Sequence, residues 1–416
     1  MNKSEHPTLR APFSMLLLIM LVLFSASNAC TPSTLSTPQP TTSVPAMEVP
    51  ATKTHAMDHP ATATMLPVRP SITPSQTAQD ECENLIPNSI KDIVRANVDQ
   101  GRNVGIVVGI VNPCGSEIFS YGKTALSGGQ DVDENTVFEI GSIGKVFTAL
   151  LLADMLQRGE VSFEDPIETF LPSTVTAPTY NGESIKLIDL ATHTSGLDII
   201  PENLSPADEN NPYADYTVKQ LYEALASTSL DHVIGSEYLY SNLGMGLLGH
   251  VLSLQSGLSY EDLVIEWITN ELGMPDTRID LKADMQSRLA TGYRDGEPFP
   301  LWDIPTLAGA GALRSTVRDM LTFLAANLGL KDTHLYTAML LTHEPRFPVN
   351  DSMQVGLAWH MSRRGKLEII EHHGATGGYW AFAGFVKEIQ TGVVILTNTF
   401  QDIDDIGHRL LGASAH

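Results

Sequence analysis

In the stretch EIGSIGKVFTALLLADML, the residues Gly141-Ser142-Ile143-Gly144-Lys145 head a run that is almost wholly apolar. Two chemistries use residues of these types. A phosphate-binding loop needs G-x-x-x-x-G-K followed by Ser or Thr. Here the first glycine position is Glu139 and the residue after Lys145 is Val146, so both anchors fail. The alternative is a serine nucleophile with its own base. Ser142 and Lys145 are three residues apart and so share one face of a helix. In the first turn of that helix, free backbone N–H groups and the macrodipole favour negative charge. A lysine can take a proton from serine only when it is neutral, and burial lowers its pKa by as much as ~3–5 units. Val146 to Leu156 is apolar nearly all round, which predicts a buried helix and a desolvated Lys145. A capping serine with a snorkelling lysine would produce the same short pattern, so the rest of the chain has to decide.

Two further groups of residues bear on the choice. Tyr240-Ser241-Asn242 enters a helix in SEYLYSNLGMGLLG, and His372-His373-Gly374 ends a strand in IIEHHGATGGYW. Together with Ser142-Ile143-Gly144-Lys145, this ordered trio resembles the serine β-lactamase and penicillin-binding-protein superfamily. The resemblance is strongest to the branch of class C β-lactamases, D-alanyl-D-alanine carboxypeptidases and related esterases. LIDLATHTSGL, ELGMPDTRI and LAGAGALRSTVRDMLTFL look like further segments of that family in its order, so the likeness runs from about 85 to 412. It implies that Ser142 is the nucleophile of an acyl-enzyme, that Lys145 takes or relays its proton, and that Tyr240 is a second acid/base. A tyrosine works as a base only if cationic neighbours lower its pKa from ~10. The likeness also implies that Asn242 orients Lys145 and the substrate's acyl side chain, and that the backbone N–H groups of Ser142 and Ala375 form the oxyanion hole. Gly374 would let substrate approach the strand edge. No metal or organic cofactor is implied. His193 and His250 are read as structural, the first hydrogen-bonded in a turn and the second between helices, and with His360 and His372 they show no zinc-ligand spacing. Trp302 and Tyr379 either line the cleft or pack in the core.

One position departs from the family pattern. Many β-lactamases of this kind have Lys-Thr-Gly where this chain has His372-His373-Gly374. A lysine there attracts the free carboxylate of a β-lactam or a D-alanyl-D-alanine end. A histidine of ordinary pKa (~6.5) is mostly neutral at pH 7. Carboxylate binding is therefore expected to be weaker or pH-dependent, with acyl-enzyme chemistry intact.

These residues need elements to hold them. NVGIVVGIVN and SEIFSYG read as a hairpin, and ENLIPNSIKDIVRANVDQ as a helix before it. VGLAWHM, LEIIEHHG, YWAFAGFVK and GVVILTNT read as strands near the end, with a closing helix over QDIDDIGHRLLGA. The expected fold is α+β: one antiparallel sheet built from both ends of the domain and flanked by helices, around an inserted all-helical lobe. The sheet lobe would take about 80–140 and 345–416, the helical lobe about 141–344.

Before this domain, Lys3 and Arg10 precede the apolar stretch Phe13 to Phe24 and a run of small residues, a secretory signal over 1–30. Cys30 is a candidate for lipidation. Residues 31–79 are rich in Thr, Pro, Ser and Ala and read as a disordered tether. In an exported, periplasmic or extracytoplasmic protein, Cys82 and Cys114 are candidates for a disulfide, with two free buried cysteines as the other possibility. Membrane association would come only through the signal or lipid anchor, and a monomer is expected. A net charge of −23 and a pI near 4.8, with no basic cluster, exclude nucleic acid as a partner. The expected function is an exported serine hydrolase acting on β-lactams or D-amino-acid peptides. A carboxylesterase or transesterase on the same machinery is one alternative. A penicillin-binding sensor or catalytically weak scaffold is the other.

Overall fold

The structure is a computed structural model that describes Cys82 and residues 84–412. The signal segment, the tether and Cys30 lie outside the described residues. Among the described residues no helix is long and apolar enough to cross a membrane.

One antiparallel sheet of eight strands carries the fold. The hairpin β1 (Gly105–Asn112) and β2 (Gly115–Gly122) comes from the start of the domain. The end of the domain supplies β3 (Phe347–Asn350), β4 (Met353–Val355), β5 (His360–Arg364), β6 (Leu367–Ala375), β7 (Trp380–Val386) and β8 (Thr391–Thr397). Their spatial order is β2-β1-β8-β7-β6-β5-β4-β3, so the first and last strands of the sheet lie side by side, second and third from one edge. The register is Ile106 against Thr397 through Val111 against Gly392. β7 and β8 are buried along their whole length because helices cover both faces, hence their unbroken apolar composition.

Five helices position or brace the site: α1 (Asn88–Asp99), α2 (Gly144–Arg158), α3 (Asn242–Ser256), α4 (Val317–Asn327) and α5 (Asp404–Leu410). The helix α2 is buried from Gly144 to Met155, as its all-round apolar composition predicts, and it stops at the left-handed Gly159. Thr316 caps α4 by accepting from Asp319 N, and Ser241 caps α3 by accepting from Gly244 N. Cys82 and Cys114 form a disulfide, with Cα atoms 5.4 Å apart, that ties the chain before α1 to the tip of the β1–β2 hairpin.

Two expectations need correcting. VGLAWHM is not one strand: β4 ends at Val355 and β5 begins at His360. Ala358 between them has φ 62°, and its N–H donates to Ala191 O instead of to a strand neighbour. The apolar run was legible, but its left-handed break was not. The middle of the chain is also not purely helical, since ribbons at Thr179–Tyr180/Glu183–Ser184 and Gly292–Arg294/Glu297–Phe299 interrupt it, and Phe138–Glu139 pairs with Arg314–Ser315.

Candidate active site

Ser142 stands in a single 3₁₀ turn, Gly141–Ile143, that runs directly into α2. It is half-buried between fully buried neighbours. Lys145 is wholly buried, with Nζ 2.9 Å from Ser142 Oγ and 2.6 Å from Ala310 O. Burial holds the lysine well below its usual pKa range. A neutral amine has N–H groups to donate to Ala310 O and one lone pair to accept the Ser142 proton. The carbonyl at 310 left no mark in the sequence, because a backbone group works whatever the side chain.

Tyr240 lies across the site from the turn. Its ring covers Lys145 Nζ at 4.9 Å from the centroid, and its hydroxyl shares a hydrogen bond with Ser142. Burial pushes the phenol well above the usual tyrosine range, outweighing the hydrogen bond from Ser142. The condition for a tyrosinate base is therefore not met. Tyr240 is a neutral phenol, able to pass a proton but not to sit as an anion.

Asn242 opens α3, with its backbone N–H donating to Ile199 O at 2.9 Å. Its side chain shares a hydrogen bond with Tyr213, whose phenol burial pushes up to about 12. Tyr213 was missed from sequence, since a lone tyrosine in a polar loop carries no spacing signal.

The strand β6 brings the other wall. A Cβ on Gly374 would fall 2.0 Å from Ile140 O and 3.0 Å from Ser142 N, so only glycine lets this strand lie against the Ser142 turn. A Cβ on Gly141 would fall 2.8 Å from Ala375 N. The backbone N–H groups of Ser142 and Ala375 thus flank one small space.

His372 is 1% exposed on the site side of β6, its ring centroid 6.4 Å from that of Tyr240. Its Nδ1 is 2.6 Å from His373 O. Burial is the largest cause that holds it well below the usual histidine range. Two more imidazoles share this side. His193 stacks on Tyr240 at 4.6 Å and accepts from Ser241 N at 3.1 Å. His360 lies 5.3 Å from His372 and hydrogen-bonds the Tyr238 hydroxyl at 2.7 Å. Burial pushes His360 down to about 4 and His193 well below its usual range. All three are neutral at pH 7. The structural reading of His193 from sequence missed that it backs the Tyr240 ring. His250, by contrast, bonds Tyr222 at 2.8 Å in the helical region, and Tyr379 is a core residue donating to Ala290 O. Trp302 is buried, its Nε1 donating to Asn210 O.

Glu139, where the phosphate-loop pattern fails, is a buried carboxylate paired with Arg314 at 3.2 Å.

The Beta-lactamase family model matches residues 90–415. The chain is 27% identical over 352 residues to a Beta-lactamase of Escherichia coli (strain K12), covering 75% of this chain and 89% of that protein. It is 28% identical over 344 residues to the D-alanyl-D-alanine-carboxypeptidase/endopeptidase AmpH of the same organism, covering 78% and 88%. A solved class C beta lactamase from Rhodobacter sphaeroides superposes with TM-score 0.68 at 26% identity, over 78% of this chain and 97% of that one. The fold is shared with a Beta-Lactamase/D-Alanine Carboxypeptidase from Pseudomonas syringae, at TM-score 0.70 and 23% identity, over 80% and 99%. The chain belongs to the Beta-lactamase family of serine hydrolases.

Proposed function

We propose that the protein is an exported hydrolase that opens the amide bond of β-lactams or of D-amino-acid peptides through an acyl-Ser142 intermediate. The observation that carries this reading is the 2.9 Å contact between Ser142 Oγ and the Nζ of a wholly buried Lys145, whose pKa burial holds well below its usual range. Ser142 Oγ attacks the carbonyl carbon as its proton passes to Lys145. The carbonyl oxygen takes up the negative charge between the N–H groups of Ser142 and Ala375, a donor pair of which one member is typically worth ~10²–10³ in turnover. The tetrahedral species collapses, and the departing nitrogen receives its proton through the Tyr240 hydroxyl, which is refilled from Lys145. Water then attacks the ester carbon by the same route in reverse, releasing the acid and restoring Ser142. Asn242, held by Tyr213, faces the acyl side chain. Residues 80–416 would form the hydrolase domain, with a sheet lobe and a helical lobe. Residues 1–30 would direct export with Cys30 as lipid anchor, and residues 31–79 would be the tether.

A second reading, a carboxylesterase, is favoured by one observation: His372 is a buried neutral imidazole where a cation would draw a substrate carboxylate. Turnover of nitrocefin, a D-Ala-D-Ala peptide and a p-nitrophenyl ester, with Ser142→Ala as control, separates them. Hydrolysis of the ester alone would leave the esterase reading. Undiminished turnover by Ser142→Ala would remove the acyl-serine mechanism altogether.

A further inference from the structure

The amine of Lys145 is aimed by a carbonyl, and that carbonyl needs an anchor of its own. Ala310 closes a 3₁₀ turn, Ala308–Ala310, wedged between α2 and α3. A Cβ on Gly309 would fall 2.8 Å from Met245 O of α3 and 3.1 Å from Thr148 Oγ1 of α2. A Cβ on Gly249 of α3 would fall 2.9 Å from Gly309 Cα. Packing therefore fixes where the turn lies. It does not fix which way the carbonyls face, because Gly309 and Gly311 flank Ala310 with no side chains to resist rotation of a peptide plane.

Thr148 supplies the anchor. It is wholly buried on α2, three residues after Lys145 and so on the same face. Its hydroxyl lies 2.8 Å from Gly309 O and 2.7 Å from the hydroxyl of the buried Tyr260. A threonine inside a helix commonly turns its hydroxyl back to the carbonyl four residues earlier. Here that contact, to Gly144 O, is the longest of the three at 3.4 Å. A hydroxyl has one proton to give, and a carbonyl can only accept. Thr148 thus donates to Gly309 O, and Tyr260 donates to Thr148 Oγ1. One helix face holds two consecutive carbonyls, Thr148 that of Gly309 and Lys145 that of Ala310 at 2.6 Å. The N–H groups of the same two peptides are spent inside the turn, Ala310 N on Leu307 O at 2.9 Å and Gly311 N on Ala308 O at 3.1 Å. With both planes held at each end, Ala310 O cannot swing away from Nζ, and the amine keeps its lone pair on Ser142 Oγ.

We propose that Thr148 is a positioning residue for acyl transfer: through the Gly309 carbonyl it sets Ala310 O, and through Ala310 O the direction of the Lys145 amine at Ser142. The inference rests on the acyl-Ser142 reading and deepens it, since it assigns the aim of the base to a hydroxyl one turn further into α2.

Labelling kinetics on the full-length protein test this. Thr148→Val keeps the shape of the side chain and removes the donor to Gly309 O. The rate at which saturating fluorophosphonate labels Ser142 should fall about tenfold, the worth of one buried hydrogen bond, with the half-saturating concentration unchanged. Thr148→Ser keeps the hydroxyl and should restore the rate. Tyr260→Phe also removes a buried hydrogen bond and should lower the unfolding midpoint, but it leaves the Thr148 proton on Gly309 O and should keep the original rate. A general loosening of the fold would slow both variants alike. If the valine variant does not fold, Thr148→Ala takes its place against the same controls. An original rate in the variant lacking the hydroxyl, or an equal fall in Tyr260→Phe, overturns the role of Thr148 alone. Absence of labelling at Ser142 in the unaltered protein removes the acyl-enzyme reading and this inference with it.

Discussion

The two faces of β6 treat histidine in opposite ways. On the outer face Glu371 and His373 look toward α5. His408 of that helix pairs with Glu371 at 2.7 Å, and His373 lies 3.4 Å from Asp404. On the inner side of the site His372 joins His193 and His360 around Tyr240, and none of the three forms an ion pair among the described residues, although Glu371 lies opposite His360 in the register. The hydrogen bond and charge of Glu371 raise the His408 pKa although burial works against them. Burial alone dominates on the inner face and pushes His193, His360 and His372 down. Burial is common to both faces, so the presence of a paired carboxylate decides the sign. The difference suits their work. An ion pair locks the strand to its helix, while a face kept free of charge lets Lys145 stay neutral beside Ser142.

The largest effect should come from breaking the neutral amine itself. Lys145→Ala should slow acylation of Ser142 by about 10²–10⁴-fold, the usual worth of a positioned proton acceptor. This is measured as the rate of fluorophosphonate or nitrocefin acylation, and a variant acylating at the original rate would show that Lys145 is not the base. In the unaltered protein the acylation rate should climb as pH rises through the depressed Lys145 pKa.

Removing one histidine from each face should cost unequal amounts of stability. His408→Leu strands a nearly buried Glu371 carboxylate and should cost about 3 kcal/mol in thermal or denaturant unfolding. His372→Leu removes a neutral ring with one local hydrogen bond and should cost no more than about 1 kcal/mol. Equal losses would mean that the outer pair contributes nothing beyond packing.

Placing a permanent charge on the inner face sharpens the contrast further. His372→Lys should improve acylation by a carboxylate-bearing β-lactam by about 1–2 kcal/mol, roughly tenfold, and leave a neutral ester without that gain. Because burial depresses the imidazole so far, the unaltered protein should gain carboxylate affinity only well below pH 6.5. Identical pH profiles for acid and ester binding down to that range would mean His372 only shapes the pocket.

The last effect is a slope. A histidine whose pKa is lowered on folding contributes stability that is present above its unfolded value, ~6.5, and lost as pH falls toward the folded one. For His360 that window runs from ~6.5 down to about 4. His360→Leu should therefore flatten the acid side of the stability curve by about 1.4 kcal/mol per pH unit within it. The outer pair has the opposite histidine sign: the raised His408 contributes fully below its unfolded pKa and loses its contribution as pH rises through the folded one. Stability measured from pH 7 to 4 in the single variants would expose an error in either assignment.

The sheet and the nucleophile turn were readable because period and composition act locally. A strand covered on both faces carries an apolar run such as GVVIL, and a helix buried all round looks like VFTALLLADML. The VGLAWHM run has the same composition and still breaks at Ala358, because its N–H is claimed by Ala191, far away in the chain. The helical middle hid its short ribbons for a similar reason: two- and three-residue strands are stabilised by their partners and show too little alternation of their own.

In the candidate site, the residues that type and spacing singled out are ones the fold brings together. Ser142 with Lys145, Tyr240 with Asn242 and the His372-His373-Gly374 triplet each fall on one short element, where geometry follows from the residue count. Spacing says nothing of what surrounds them. The lysine could snorkel or be buried until α2, Ala310 and the Tyr240 ring closed over it, and only that closure lowers the pKa of its amine. Likewise three histidines far apart in the chain become one uncharged wall because strands and loops converge there. Residue types determined which protons this protein can move. Desolvation and long-range contacts, which no local spacing encodes, decided which of those groups are charged.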